Sequence, residues 1–227
     1  MDLRSDFLIF CVLLFASSDG RMSQRKRERT DLVNDLLERD WNVFGTLKFV
    51  NGRTIGRYRA NKLLHQYWNR IDRTFFGNAA QRQNVRVPRW CFAHEGSDSE
   101  NFHVHFALLA PITDIDRTCC VLNAVWDQHH RQTAPLDKNW ITPVWDRSEV
   151  ASYLTKEYWR LGSTTLLDDL CWNSTSKETM ARFEHEQQQQ RIQRAASPLW
   201  LRHAQQALNE QKAHYLEKNA LFVWERS

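Results

Sequence analysis

Between residues 25 and 39, apolar Leu32, Val33, Leu36 and Leu37 recur at helical spacing. Thr30 or Asp31 precedes them as a cap, so the pattern predicts an amphipathic helix. The periodicity then changes. Residues 41–50 read WNVFGTLKFV, dense in aromatic and β-branched side chains and followed by Asn51-Gly52, which predicts a first core strand ending in a turn. Over residues 57–76, Leu63, Leu64, Tyr67, Trp68, Ile71 and Phe75 return to three- and four-residue intervals, predicting a second amphipathic helix. Residues 87–95 and 102–109 read as two strands, and the polar stretch Gly96 to Asn101 between them suits a hairpin connection. A helix over 114–129, a last strand over 140–145 and a helix over 148–161 capped by Ser148 complete the pattern. Strand, helix, strand, strand, helix, strand, helix describes an α+β fold, an antiparallel sheet with helices packed on it.

Past Cys171 the composition shifts to Gln, Glu and Ala with a run from Gln187 to Gln190, which predicts two helices serving as a cap, an oligomer contact or a tail. The expected organisation is one domain over residues 22–172 and a helical Gln-rich extension over 173–227. Residues 7–16, FLIFCVLLFA, form an apolar run like a signal-peptide core, but one too short to span a bilayer. Asp2 and Asp6 beside Arg4 make a weak leader, and Met22 opens MSQRKRERTDLV, a sensible cytosolic start. Residues 1–21 are therefore read as an upstream extension in preference to a signal or anchor, with no membrane partner expected.

Charge adds a partner class. The formal net charge is only +4, yet nine basic residues fall between Arg53 and Arg89 against the single acid Asp72. Tyr58, Tyr67, Trp68, Phe75, Phe76 and Trp90 lie among them. Cations for phosphates and rings for bases suit a nucleic-acid strand, with Arg57 and Arg59 as contacts, although a solvated helix face over core aromatics gives the same pattern. Five cysteines without a CxxC pair suggest neither a zinc knuckle nor a disulfide framework, which points to a reducing compartment such as the cytoplasm.

Candidate chemistry begins at Phe102-His103-Val104-His105-Phe106, where strand alternation puts both imidazoles on one face. Two polar residues on a wet face would read the same way. Glu95, at the end of the preceding strand, is placed to bring a carboxylate onto that face, where Cys91 and Ala93 share its parity. His94 is assigned by parity to the other face. A His103, His105 and Glu95 set suits Mn²⁺ or Mg²⁺ as a Lewis acid, the two nitrogens tilting it towards Mn²⁺. Tyr153-Leu-Thr-Lys156 puts a phenol and an ammonium three residues apart on one helix face, and a nearby cation favours the phenolate that attacks phosphorus. Tyr158 is the rival nucleophile, turned away from that face. Thr46 and Lys48 share strand parity and are candidate contacts for a nucleic-acid strand, though a Thr and a Lys on a sheet face are otherwise unremarkable.

The ordered set of Gly45-Thr-Leu-Lys-Phe49, Glu95 with His103-Val-His105, and Tyr153-Leu-Thr-Lys156 resembles the three motifs of HUH rolling-circle replication initiators, over residues 41–172. The resemblance implies a five-stranded antiparallel sheet, a metal held by His103, His105 and Glu95, and Tyr153 as nucleophile with Lys156 assisting. It implies site-specific nicking of single-stranded DNA at an origin or hairpin, a 5′-phosphotyrosine intermediate, a freed 3′-OH and later rejoining of ends. The setting it implies is a plasmid or phage element in a bacterial host. No Gly-x-x-x-x-Gly-Lys-Ser/Thr loop occurs in the sequence, so unwinding would fall to a separate helicase, with a separate polymerase extending the primer. An HUH transposase or relaxase is the nearest alternative. A non-catalytic RRM-like single-strand binder is the alternative from another class, opposed by the lack of a Gly-Phe-Gly/Ala-Phe run.

Overall fold

The structure is a computed structural model and describes residues 24–94, 102–184 and 186–224. Glu95, the hairpin connection and the apolar run at 7–16 lie outside the described residues. Helix α1 spans 24–37. It leads into β1 (Val43–Lys48), α2 (Arg57–Phe76), α3 (Ala79–Arg82), β2 (Arg89–His94), β3 (His103–Leu108) and α4 (Ile115–Asp127). Then come β4 (Trp140–Pro143), α5 (Arg147–Leu154), α6 (Tyr158–Leu161), α7 (Lys177–Ala181), α8 (Glu186–Ala195) and α9 (Pro198–Trp224). Among the described residues, no helix is long and apolar enough to cross a membrane.

The strands form one antiparallel sheet in the order β2-β3-β1-β4. The α+β expectation holds, but among the described residues the sheet has four strands and not five. Along the outer edge of β2 the chain makes isolated bridges, Phe92 with Leu166 and Arg89 with Trp172. A 3₁₀ turn at Asp168–Leu170 interrupts the pairing between them, so no continuous fifth strand forms. At the opposite edge, Gln211 of α9 takes a strand's place. Its Nε2 donates to the Asn139 carbonyl at 2.8 Å and its Oε1 accepts from the Ile141 N–H at 3.3 Å, closing part of an edge that would otherwise offer open pairing groups.

Alternation along the strands divides the sheet into two faces. One carries Val43, Leu47, Cys91, Ala93, Val104, Phe106 and Ile141, all buried against α2 and α4. Gly45 belongs to this face because the Phe106 ring crosses β1 there: a Cβ on residue 45 would stand 2.2 Å from Phe106 Cζ. Tyr67 and Trp68 of α2 fill the layer beneath, and the Tyr67 hydroxyl, which must find a partner when buried, donates to the Leu122 carbonyl at 3.0 Å. Met180, Ile192, Ala196, Leu201, Ala204 and Leu208 join this same core, so the Gln-rich extension packs as part of the fold. The buried Arg89 is held by a two-point contact with Asp72, 2.8 and 3.1 Å, and Asp72 also accepts from the Val87 N–H at 2.9 Å. Such a buried pair requires its geometry to be satisfied on both sides.

The other face carries Trp90, Phe92 and Ala107, covered by Leu36 from α1 and by Ala151 and Leu154 from α5. Three boundaries on this side differ from the sequence reading, the first being that of α1, where Thr30 and Asp31 lie inside the helix and do not cap it. The cap of α5 is Asp146 and not Ser148: the Asp146 carboxylate accepts from the N–H groups of Ser148 and Glu149 at 2.8 and 3.0 Å, so Ser148 is already inside the first turn. The helix expected over 148–161 is also broken after Leu154. Thr155 turns its hydroxyl back to the Ala151 carbonyl, while Arg29 of α1 donates to the carbonyls of Thr155 and Ser152 at 3.1 and 3.3 Å, which supplies partners for a helix end at this point.

Candidate functional site

Register decides which side chains meet. Across the β2–β3 ladder His94 stands opposite His103 and Phe92 opposite His105, while across β1–β3 Thr46 stands opposite His105 and Lys48 opposite His103. Directly paired residues project to the same face. His94, His103 and His105 therefore converge, with one ligand nitrogen from each lying within 4.8 Å of the others. The ring centroids of His94 and His103 are 4.2 Å apart, and those of His103 and His105 4.7 Å.

This corrects the sequence reading in one respect. His94 was assigned to the far face, yet it is the third imidazole of the cluster. The parity of Cys91 and Ala93, read as the open face beside the ligands, is the core-facing parity of β2, opposite Phe106 and Val104. Glu95, the third ligand expected from the sequence, lies outside the described residues.

His105 is buried, and its Nδ1 lies 2.9 Å from the Thr46 hydroxyl. Its Nε2 is buried with no hydrogen-bond partner among the described residues. Burial first, and then the positive character of His103, Lys156, His94 and Lys48, holds His105 well below the usual imidazole range, so it is neutral and offers a lone pair. A buried imidazole nitrogen without a partner is costly in a dry site, and a metal ion removes that cost. Three imidazoles this close can reach one ion at bonds of about 2.1 Å after small side-chain rotations, so the residues fit a metal. Glu157 brings Oε1 to 3.0 Å from His94 Nδ1, an outer carboxylate of the sort that orients a ligating histidine.

Tyr153, on the last turn of α5, overhangs this cluster. Its ring centroid lies 4.8 Å from that of His105 and 5.7 Å from that of Phe44, and the residue is 42% exposed. Lys156 follows on the turn, its Nζ 4.0 Å from the centroid of the Tyr153 ring. Tyr158 is buried instead, donates to Glu28 Oε2 at 3.1 Å, and has its phenol pushed up by burial and by that carboxylate.

A cavity of about 630 Å³ opens over these groups. Thr46, Lys48, His94, His103, His105, Tyr153 and Lys156 all line it. Arg57 and Arg59 do not: they start α2, which packs on the opposite face of the sheet, and Arg57 donates to the Thr164 carbonyl. The sequence reading also missed Phe44, Trp140 and Trp145, and it missed His214, Tyr215 and Lys218 from α9. Strand parity with Thr46 would have found Phe44. Nothing local marks the α9 residues, because the return of that helix to the sheet edge is a tertiary fact. No protein-family model, curated protein or solved structure matches the chain.

Proposed function

We propose that the chain is a metal-dependent, site-specific single-stranded DNA nickase and strand-joining enzyme of the HUH type. In this reading it initiates rolling-circle replication through a 5′-phosphotyrosine intermediate. The observation that carries the reading is the seat of Tyr153: a half-exposed phenol stacked edge-on over His105, at the rim of a three-histidine cluster and beside the Lys156 ammonium.

His94, His103 and His105 would hold the ion; ligation through His105 Nε2 calls for the Nδ1–H tautomer, whose N–H would donate to the Thr46 hydroxyl. An all-imidazole set favours Mn²⁺ over Mg²⁺, which prefers oxygen. A bound divalent ion supplies polarisation of a non-bridging oxygen of the scissile phosphate. Tyr153 gives up its proton and its oxygen attacks phosphorus. The new Tyr153 O–P bond replaces the bond to the 3′ oxygen, which leaves as a 3′-OH after taking up a proton. Lys156 stabilises negative charge on the phenolic oxygen or the phosphate. The backbone turn at Thr155, fixed by Arg29, holds these two groups in register, so attack is effectively intramolecular. The ester conserves the bond energy, and attack by a 3′-OH reverses the step and reseals the strand. Single-stranded DNA at an origin or hairpin is the substrate in this reading, with a separate helicase and polymerase as partners.

Incubation with end-labelled single-stranded DNA and Mn²⁺ tests this. An adduct that survives SDS, depends on the metal and is absent from Tyr153→Phe supports the proposal. A wild-type chain that binds single strands but forms no adduct with any strand, including hairpins, refutes it.

A further inference from the structure

Past Gln211 the described side chains of α9, from Lys212 to Lys218, are half-buried or exposed. Leu201, Ala204 and Leu208 pack into the core, and Gln211 caps the β4 edge. Continuing the same helical stripe by three- and four-residue steps reaches His214, Tyr215 and Lys218, and these face the cavity. Tyr215 stacks on Trp145, centroids 4.0 Å apart and planes at 26°, and His214 meets Trp140 edge-on at 6.1 Å. Trp145 is still 38% exposed although Tyr215 covers one side of it. Lys218 and Lys48 bring ammonium groups to the same cavity, whose acidic lining residues are Asp146, engaged in capping α5, and Glu149.

A stacked pair with Trp145 exposed and Tyr215 half-buried, flanked by cations, suits a strand that carries a π-face on every base and a charge on every phosphate. We propose that Trp145 and Tyr215, with Lys218 beside them, form a nucleobase-holding wall that α9 adds to the cleft, gripping the single strand next to the scissile phosphate. This rests on the nickase reading for the identity of the polymer. It adds that α9 contributes affinity through bases as well as phosphates, without sequence readout.

The test compares a fluorescein-labelled oligothymidylate with an equal-length strand of abasic sites, which keeps the phosphates and lacks the bases. Both bind to the full chain in EDTA, so no cleavage intervenes. The wild type binds oligothymidylate roughly tenfold more tightly than the abasic strand, the scale of base–aromatic stacking. Trp145→Ala with Tyr215→Ala removes most of that ratio while abasic binding is kept, Tyr215→Phe retains it, and Lys218→Gln weakens both strands alike. A double variant that also loses abasic binding is replaced by Tyr215→Leu alone, read by the same ratio. Equal binding of the two strands by the wild type, or a ratio unchanged in the ring-less variants, overturns the wall. Adduct formation in Mn²⁺ is scored separately, so a missing wall and a missing nuclease give different results.

Discussion

Lys156 holds its ammonium 4.0 Å from the centre of the Tyr153 ring, across the turn that ends α5. The contact survives although the helix stops at Leu154, because the turn is pinned by Arg29 from a helix more than a hundred residues earlier in the chain. If Lys156 steadies charge at the reacting oxygens, Lys156→Ala slows single-turnover adduct formation by about 10- to 100-fold and Lys156→Arg by less. An unchanged rate in Lys156→Ala would reduce the contact to packing.

Arg29→Ala removes the donors to the Ser152 and Thr155 carbonyls. The expected result is slower adduct formation at saturating DNA with little change in strand affinity, since Arg29 orients the turn and does not line the cleft. Loss of affinity alone would contradict this.

His94 makes the cluster a three-imidazole set, so His94→Ala should weaken Mn²⁺ binding on the order of 10- to 100-fold by titration calorimetry. Wild-type affinity in that variant would remove His94 from the ligand set.

Gly45 gives a prediction on stability. Any side chain there collides with Phe106 in the core, so Gly45→Ala should cost about 1 to 3 kcal/mol in urea unfolding. No loss would mean that the Phe106 ring readily moves aside.

His129 supplies a pH test away from the cleft. Burial, opposed by donation from Nε2 to the Leu63 carbonyl, holds this imidazole below its usual range. A histidine whose folded pKa is depressed binds its proton more readily when unfolded, so its contribution is lost as pH falls through the unfolded value of about 6.5 towards the folded one. Wild type should therefore lose more stability than His129→Gln between pH 7.5 and 5.5. Parallel losses would contradict the assignment.

The local periodicities made most of the fold legible: the strand at β1, the helix at α2 and the His103/His105 pairing all follow from spacing over a few residues. Tertiary register was harder to read. Whether His94 or its neighbour faces the histidines depends on which residues pair across the hairpin, and a one-residue difference reverses the face. The apolar content of Cys91 and Ala93 was ambiguous because small residues suit either an open site or a tight core. The cap of α5 was two residues out because Asp146 and Ser148 are both good caps, and only the hydrogen bonds from the Ser148 and Glu149 N–H groups separate them. Tyr215 and Lys218 lay beyond sequence reasoning, since their helix returns to the sheet edge only through packing on α4 and the clasp of Gln211 on β4.

The most direct measurement is peptide mapping of a DNA adduct formed in Mn²⁺. Mass spectrometry should find the nucleotide mass on the peptide carrying Tyr153, and nowhere in chains bearing Tyr153→Phe. A nucleotide found instead on Tyr158, Tyr215 or any other side chain would contradict the account.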